Sequence, residues 1–194
     1  PDPGFGAGWN YVGVQDPSAD NATLTANFGY EAWGYDPATI PVPGTNTHYV
    51  DNTAANCSDS GNGTVAVPRC TIPGDLPAGS VVQIEGGPYP GPVTITAAGT
   101  SSQPGFIHGG GTISGVASGD HAFEIRGSTH LIIDGLNFDG STIVTGFEGN
   151  GAFSISGGSE RITVRNSLIH DYPDPYERTN QPGRSSFFAN TFIT

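Results

Sequence analysis

His130-Leu-Ile-Ile-Asp-Gly-Leu-Asn-Phe-Asp139 lies over Arg161-Ile-Thr-Val-Arg-Asn-Ser-Leu-Ile-His170 at an offset of about 31 residues. In this register Leu131 matches Ile162, Ile133 matches Val164 and Phe138 matches Ile169. Gly135 matches Asn166, and these two residue types enter a left-handed turn most readily. Upstream, Ala122-Phe-Glu-Ile125 matches Ala152-Phe-Ser-Ile155 at about 30 residues, so the loop between absorbs one residue. The match fails at Leu136 over Ser167 and at Asn137 over Leu168. Alternating apolar residues at this spacing predict two successive coils of a β-solenoid, each turning at Gly or Asn.

The composition agrees with a turn-rich all-β chain. Among 194 residues there are 30 Gly and 16 Pro, and only 12% are charged, so a single elongated domain, with or without an appendage, is expected. The apolar share of 35% is low, but it sits in short alternating runs of Val, Ile and Phe rather than being diluted as in a disordered chain. No run is long enough to cross a bilayer as a helix. With six Arg, no Lys and 18 acids, the formal charge is −12. Such a surface repels phosphate backbones and excludes a nucleic-acid partner; it also repels polyanionic sugars unless a cation or an Arg intervenes.

Met is absent, even at position 1, which reads as a mature product or a fragment with any signal peptide already removed. Cys57 and Cys70 close a polar, Gly-rich loop and are expected to form a disulfide, hence an oxidising compartment: extracellular, cell-surface or periplasmic. Asn21-Ala-Thr, Asn56-Cys-Ser and Asn62-Gly-Thr fit the glycosylation triplet.

Residues 1–46 carry no repeat and form an irregular aromatic-rich arm or cap, with the β-coils occupying 47–194. Trp9, Tyr30 and Trp33 stand among Gly, Pro and Asp; such an arm either packs along its own coils or covers a neighbouring molecule. Strands are expected at 48–51, 80–85, 93–96 and 106–108, with a further short one inside 109–115. Residues 71–79 read as a turn or helical cap, 86–92 as a Pro-bound turn, and 172–183 as a long polar loop. The last strand pattern carries Phe187, Phe188 and Phe192, an apolar coil edge that either marks a cut boundary or meets another subunit.

Leu76-Pro-Ala-Gly-Ser-Val-Val-Gln-Ile-Glu-Gly-Gly-Pro-Tyr89, Gly99-Thr-Ser-Ser-Gln-Pro-Gly-Phe-Ile-His-Gly109 and Ile132-Ile-Asp-Gly-Leu-Asn-Phe138 together resemble the opening coils of right-handed parallel β-helix proteins. The likeness is to extracellular polysaccharide lyases of the chondroitinase B and alginate lyase type, over about residues 46–175. It implies a right-handed parallel β-helix and a polysaccharide ligand, anionic or neutral. In that family a Lys and an Arg serve as base and acid, with calcium held by Asn and Glu on later coils. This chain has no Lys, so none of those catalytic roles transfers to a residue here.

Chemistry must therefore be read from stacking. Equivalent positions on adjacent coils lie about 4.8 Å apart, which places Asp134 beside Arg165 and Asp139 beside His170. Asp134 and Arg165 form either a surface ion pair or a fork for a uronate carboxylate. His170 and Asp171, before a long loop, are the candidates for acid–base work. Calcium bound by Asp134, Asp139, Asp171 or Glu124 would need those carboxylates to converge, and alternation sends some to different faces, so no metal site is assigned from the sequence. Two functions follow from these readings: a secreted protein that binds or processes polysaccharide, or a structural subunit stacked head to tail into a filament.

Overall fold

The computed structural model describes residues 37, 39–115, 121–143, 151–172, 174–178, 186–189 and 192–193, the last three spans as backbone only. Its strands are short and closely spaced. They begin with His48–Asp51 (β1), Asp75–Leu76 (β2), Val81–Glu85 (β3), Tyr89–Pro90 (β4), Val93–Ala97 (β5) and Gly105–His108 (β6). Thr112–Ser114 (β7), Phe123–Arg126 (β8), Thr129–Asp134 (β9), Asn137–Asp139 (β10) and Gly151–Ser156 (β11) follow. Glu160–Arg165 (β12), Leu168–His170 (β13), Asp174–Arg178 (β14), Ser186–Ala189 (β15) and Phe192–Ile193 (β16) complete the set. No helix occurs among the described residues, and the chain is all-β.

Every strand pairing is parallel, and three sheets result. The first runs β1-β3-β6-β9-β12-β15, the second β4-β7-β10-β13-β16 and the third β2-β5-β8-β11-β14. From β3 onward the chain visits first, second and third sheet in strict rotation. The expected register holds: Leu131 pairs with Ile162, Ile133 with Val164, Asp134 with Arg165 and Phe138 with Ile169. Phe123 and Ile125 likewise pair with Phe153 and Ile155.

One side of each strand from β1 to β13 supplies a common core. Val82, Ile84, Ile107, Leu131, Ile133, Ile162 and Val164 come from the first sheet, and Tyr89, Ile113, Phe138 and Ile169 from the second. Ile95, Phe123, Ile125, Phe153 and Ile155 come from the third. Phe138 and Phe153 rings sit 4.4 Å apart, with Phe123 edge-on to both, and fill the middle of this core. Burying such rows is the main force holding strands too short to be stable alone.

The corners are built for tight turning. Gly135 (φ 83°) and Asn166 (φ 51°) both take the left-handed conformation where the first sheet gives way to the second. At the corner between third and first sheets, Ser159 Oγ accepts from the Ser128 amide at 3.0 Å and donates to the Ser156 carbonyl at 2.7 Å. Ser128 Oγ accepts from the Ala97 amide at 2.9 Å in the same way. These fully buried hydroxyls satisfy backbone groups that the bend removes from the ladder.

The first sheet is covered on its outer side as well. Val81, Phe106 and Ile132 alternate with core residues, so they face away from the core, yet all are buried. Ile40 and Val42 pack over them. In this part of the segment expected as an arm or cap, the chain therefore lies along its own first sheet.

Three expectations are corrected. The Pro-bound turn at 86–92 contains β4, which its place at the end of the second sheet allows, because no strand among the described residues needs the missing Pro90 N–H there. The supposed turn or cap at 71–79 contains β2, and the supposed loop at 172–183 contains β14. Each lies at an end of the third sheet and pairs on one side only among the described residues, where strand propensity counts for less.

Candidate functional site

Arg165 and Asp134 stand side by side on the outer side of the first sheet. Arg165 Nε donates to Asp134 Oδ2 at 2.8 Å, and its terminal nitrogens reach Asp134 Oδ2 at 2.7 Å and the Pro37 carbonyl at 2.9 Å. Asn166 Nδ2 holds the other carboxylate oxygen at 2.9 Å. The Arg165 side chain is only 5% exposed. This pair is therefore buried rather than at the surface, and its guanidinium is occupied with Asp134 and with the segment that crosses the sheet.

The same register row continues through His108 to Gln83. Asn46 joins them: its Nδ2 donates to Gln83 Oε1 at 2.6 Å, and His108 Nε2 donates to its Oδ1 at 2.6 Å. Burial lowers the pKa of His108 below its usual range, against the pull of Asp134 and Glu85. His48 is lowered too, by burial and then by the charge of Arg69, and His130 by burial and then by Arg161. His108, Gln83 and Asn46, which no sequence motif marks, tie this end of the N-terminal segment to the sheet.

On the second sheet the outer side carries polar residues. Ser114, Asp139 and His170 form one register row, Thr112, Asn137 and Leu168 the next. All are half-buried except Leu168, which is 41% exposed. Asn137 Nδ2 donates to Thr112 Oγ1 at 3.3 Å, and His170 Nε2 donates to Asn137 Oδ1 at 3.1 Å. On the other side of the ring, His170 Nδ1 lies 2.7 Å from Asp171 Oδ2 and 3.9 Å from Asp139 Oδ1. Hydrogen bonds from Ser141, together with the nearby His170, hold the Asp139 carboxyl below its ordinary pKa.

Thus His170 and Asp171, singled out from the sequence, do come together, and the stacking rule brings Asp139 to them. Asp134 lies on the first sheet and Glu124 on the third, so those two carboxylates do not converge with Asp139 and Asp171. Glu124 is engaged instead by Arg126, at 3.0 Å, and by Thr94. Thr112, Ser114 and Asn137 carry no motif; only the register of the coils could have placed them.

Cys57 and Cys70 form the expected disulfide. Asn56 Nδ2 is bonded to the Ala66 carbonyl at 2.7 Å, while Asn62 is exposed on the same loop. Trp9, Asn21, Tyr30 and Trp33 lie outside the described residues. Phe187 and Phe188 lie on β15 and Phe192 on β16, with side chains outside the described set. No helix among the described residues is long and apolar enough to cross a membrane. No family model, curated protein or solved structure matches this chain.

Proposed function

We propose that this chain is a right-handed parallel β-helix of an extracellular or periplasmic protein, and that it binds a polysaccharide along the outer side of its second sheet. The supporting observation is the ladder of Thr112, Ser114, Asn137, Asp139 and His170: half-exposed donors and acceptors on three consecutive strands, repeating about every 4.8 Å. A polymer with a hydroxyl-rich repeat can engage such rungs one after another, and Leu168 offers an apolar step against which a sugar ring can lie. The rotation of strands through three sheets supports the solenoid, and the disulfide supports an oxidising compartment.

The charge of this surface favours a neutral glycan. Two carboxylates line it, the whole chain carries −12, and Arg165 is consumed elsewhere. A panel of neutral and anionic oligosaccharides tests the reading. Neutral sugars are expected to bind the intact chain, with Asn137→Ala weakening binding about tenfold, as loss of a hydrogen-bonding group worth about 1.4 kcal/mol would. Absence of binding to any member of a broad panel would overturn it.

A further inference from the structure

We propose that residues 57–70 form a disulfide-latched cover over the end of the first sheet, and that reduction of Cys57–Cys70 by a dithiol opens the strand edge beneath it. Among the described residues β1 pairs with one strand only, β3. On its other side the loop returns, and Arg69 lies beside Val50 as a parallel bridge. The Arg69 amide donates to the Tyr49 carbonyl at 2.8 Å, and the Asp51 amide to the Arg69 carbonyl at 2.9 Å. The Tyr49 amide donates to the Asn62 carbonyl at 3.2 Å. The loop thus satisfies backbone groups that a sheet's last strand otherwise presents to any other strand.

Gly63 lets the loop come this close. A Cβ there would run into the Tyr49 carbonyl and the Arg69 amide, and the residue sits at φ 76°. Other bonds join the loop to itself. The Ser58 amide donates to the Pro68 carbonyl at 2.8 Å, and the Cys70 amide to Asp59 Oδ1 at 3.1 Å. The Arg69 guanidinium donates to the Gly61 carbonyl. These bonds shape the loop, but its seat on β1 is the three backbone bonds, two of them made by Arg69.

A pairing this short is marginal without a further tie. The disulfide supplies one: it fixes Cys70, next to Arg69, to Cys57 across a separation of 13 residues. The entropy of closing the loop is then removed from each opening and reclosing of the pair. Both cysteines are half-buried, so neither is sealed in the core. Reduction breaks the S–S bond. Two electrons and two protons from the dithiol leave Cys57 and Cys70 as thiols, and the reductant becomes a disulfide.

Amide hydrogen exchange, read residue by residue by NMR in the oxidised and the dithiol-reduced chain without any sugar, tests the latch independently of the glycan proposal. Reduction should speed exchange at Tyr49 and Asp51 at least about tenfold. Val50, whose backbone turns toward β3 by alternation, should exchange as before. Gly63→Ala should speed Tyr49 and Asp51 in the oxidised chain as well, because its methyl group unseats the loop with the disulfide intact. Equal protection of Tyr49 and Asp51 in both redox states would overturn the latch. So would acceleration at Val50 as large as at Tyr49, which would make the disulfide a staple for the whole sheet.

Discussion

At Arg165 burial decides what a charge does. The guanidinium is 5% exposed and hydrogen-bonded to Asp134 and to the Pro37 carbonyl. Arg165→Ala would strand a half-buried carboxylate and release the crossing segment, and is expected to cost about 3 kcal/mol in chemical denaturation. His108 makes the same point for titration. Its folded-state pKa lies below the usual 6.5, as do those of His48 and His130, so the unfolded chain binds more protons there. Stability is full above about pH 6.5 and falls as the pH drops through the folded-state values. Asp51, Asp59 and Asp139, lowered from 3.8, take over in a second decline below that value. Denaturant midpoints measured from pH 8 to 3 should show both stages, with His108→Gln making the first shallower; a flat profile between pH 7 and 5 would contradict the assignment.

Within the strands and corners, backbone approach dominates. A Cβ on Gly109 would run into the Ile84 carbonyl, and the residue sits at φ 122°. Gly158 shares a positive φ, 82°, but has open space around it. Gly109→Ala should therefore cost about 3 kcal/mol, from strain and overlap together, and Gly158→Ala only about 1 kcal/mol. Ser159→Ala, which orphans the buried Ser128 amide, should cost about 2 kcal/mol. Equilibrium unfolding of the three variants ranks them. Equal losses for the two glycine variants would refute the close approach. The register behind these positions was legible, because Gly135 and Asn166 punctuate the repeat identically. Ser167, by contrast, broke the match with Leu136 although both are buried: its hydroxyl bonds the Arg165 carbonyl, so a polar residue fills an apolar position. Asn137 over Leu168 broke it because that row faces outward, where no core constrains the residue type.

Across the whole molecule, the sequence pattern showed which residues are neighbours within a sheet but not what covers each sheet. Val81, Phe106 and Ile132 read as ordinary strand residues, and nothing periodic in Ile40-Pro-Val42 announces that it lies over them. Irregular segments leave no period to read, so such a cover emerges only in three dimensions. Replacing Ile40 and Val42 together by Asp should uncover this row; a hydrophobic dye should then bind, and unchanged dye fluorescence would mean that the row is covered by something else. Among the described residues, Ile40 and Val42 lie over part of the first sheet, while the second sheet's outer side carries the polar ladder of half-buried Thr112, Ser114, Asn137, Asp139 and His170. Glycan binding at that ladder is read most directly by amide chemical shifts during titration with a neutral oligosaccharide that binds. Shifts confined to β7, β10 and β13, centred on Asn137 and His170, are the predicted result; shifts centred on β3, β6 and β9 would contradict it.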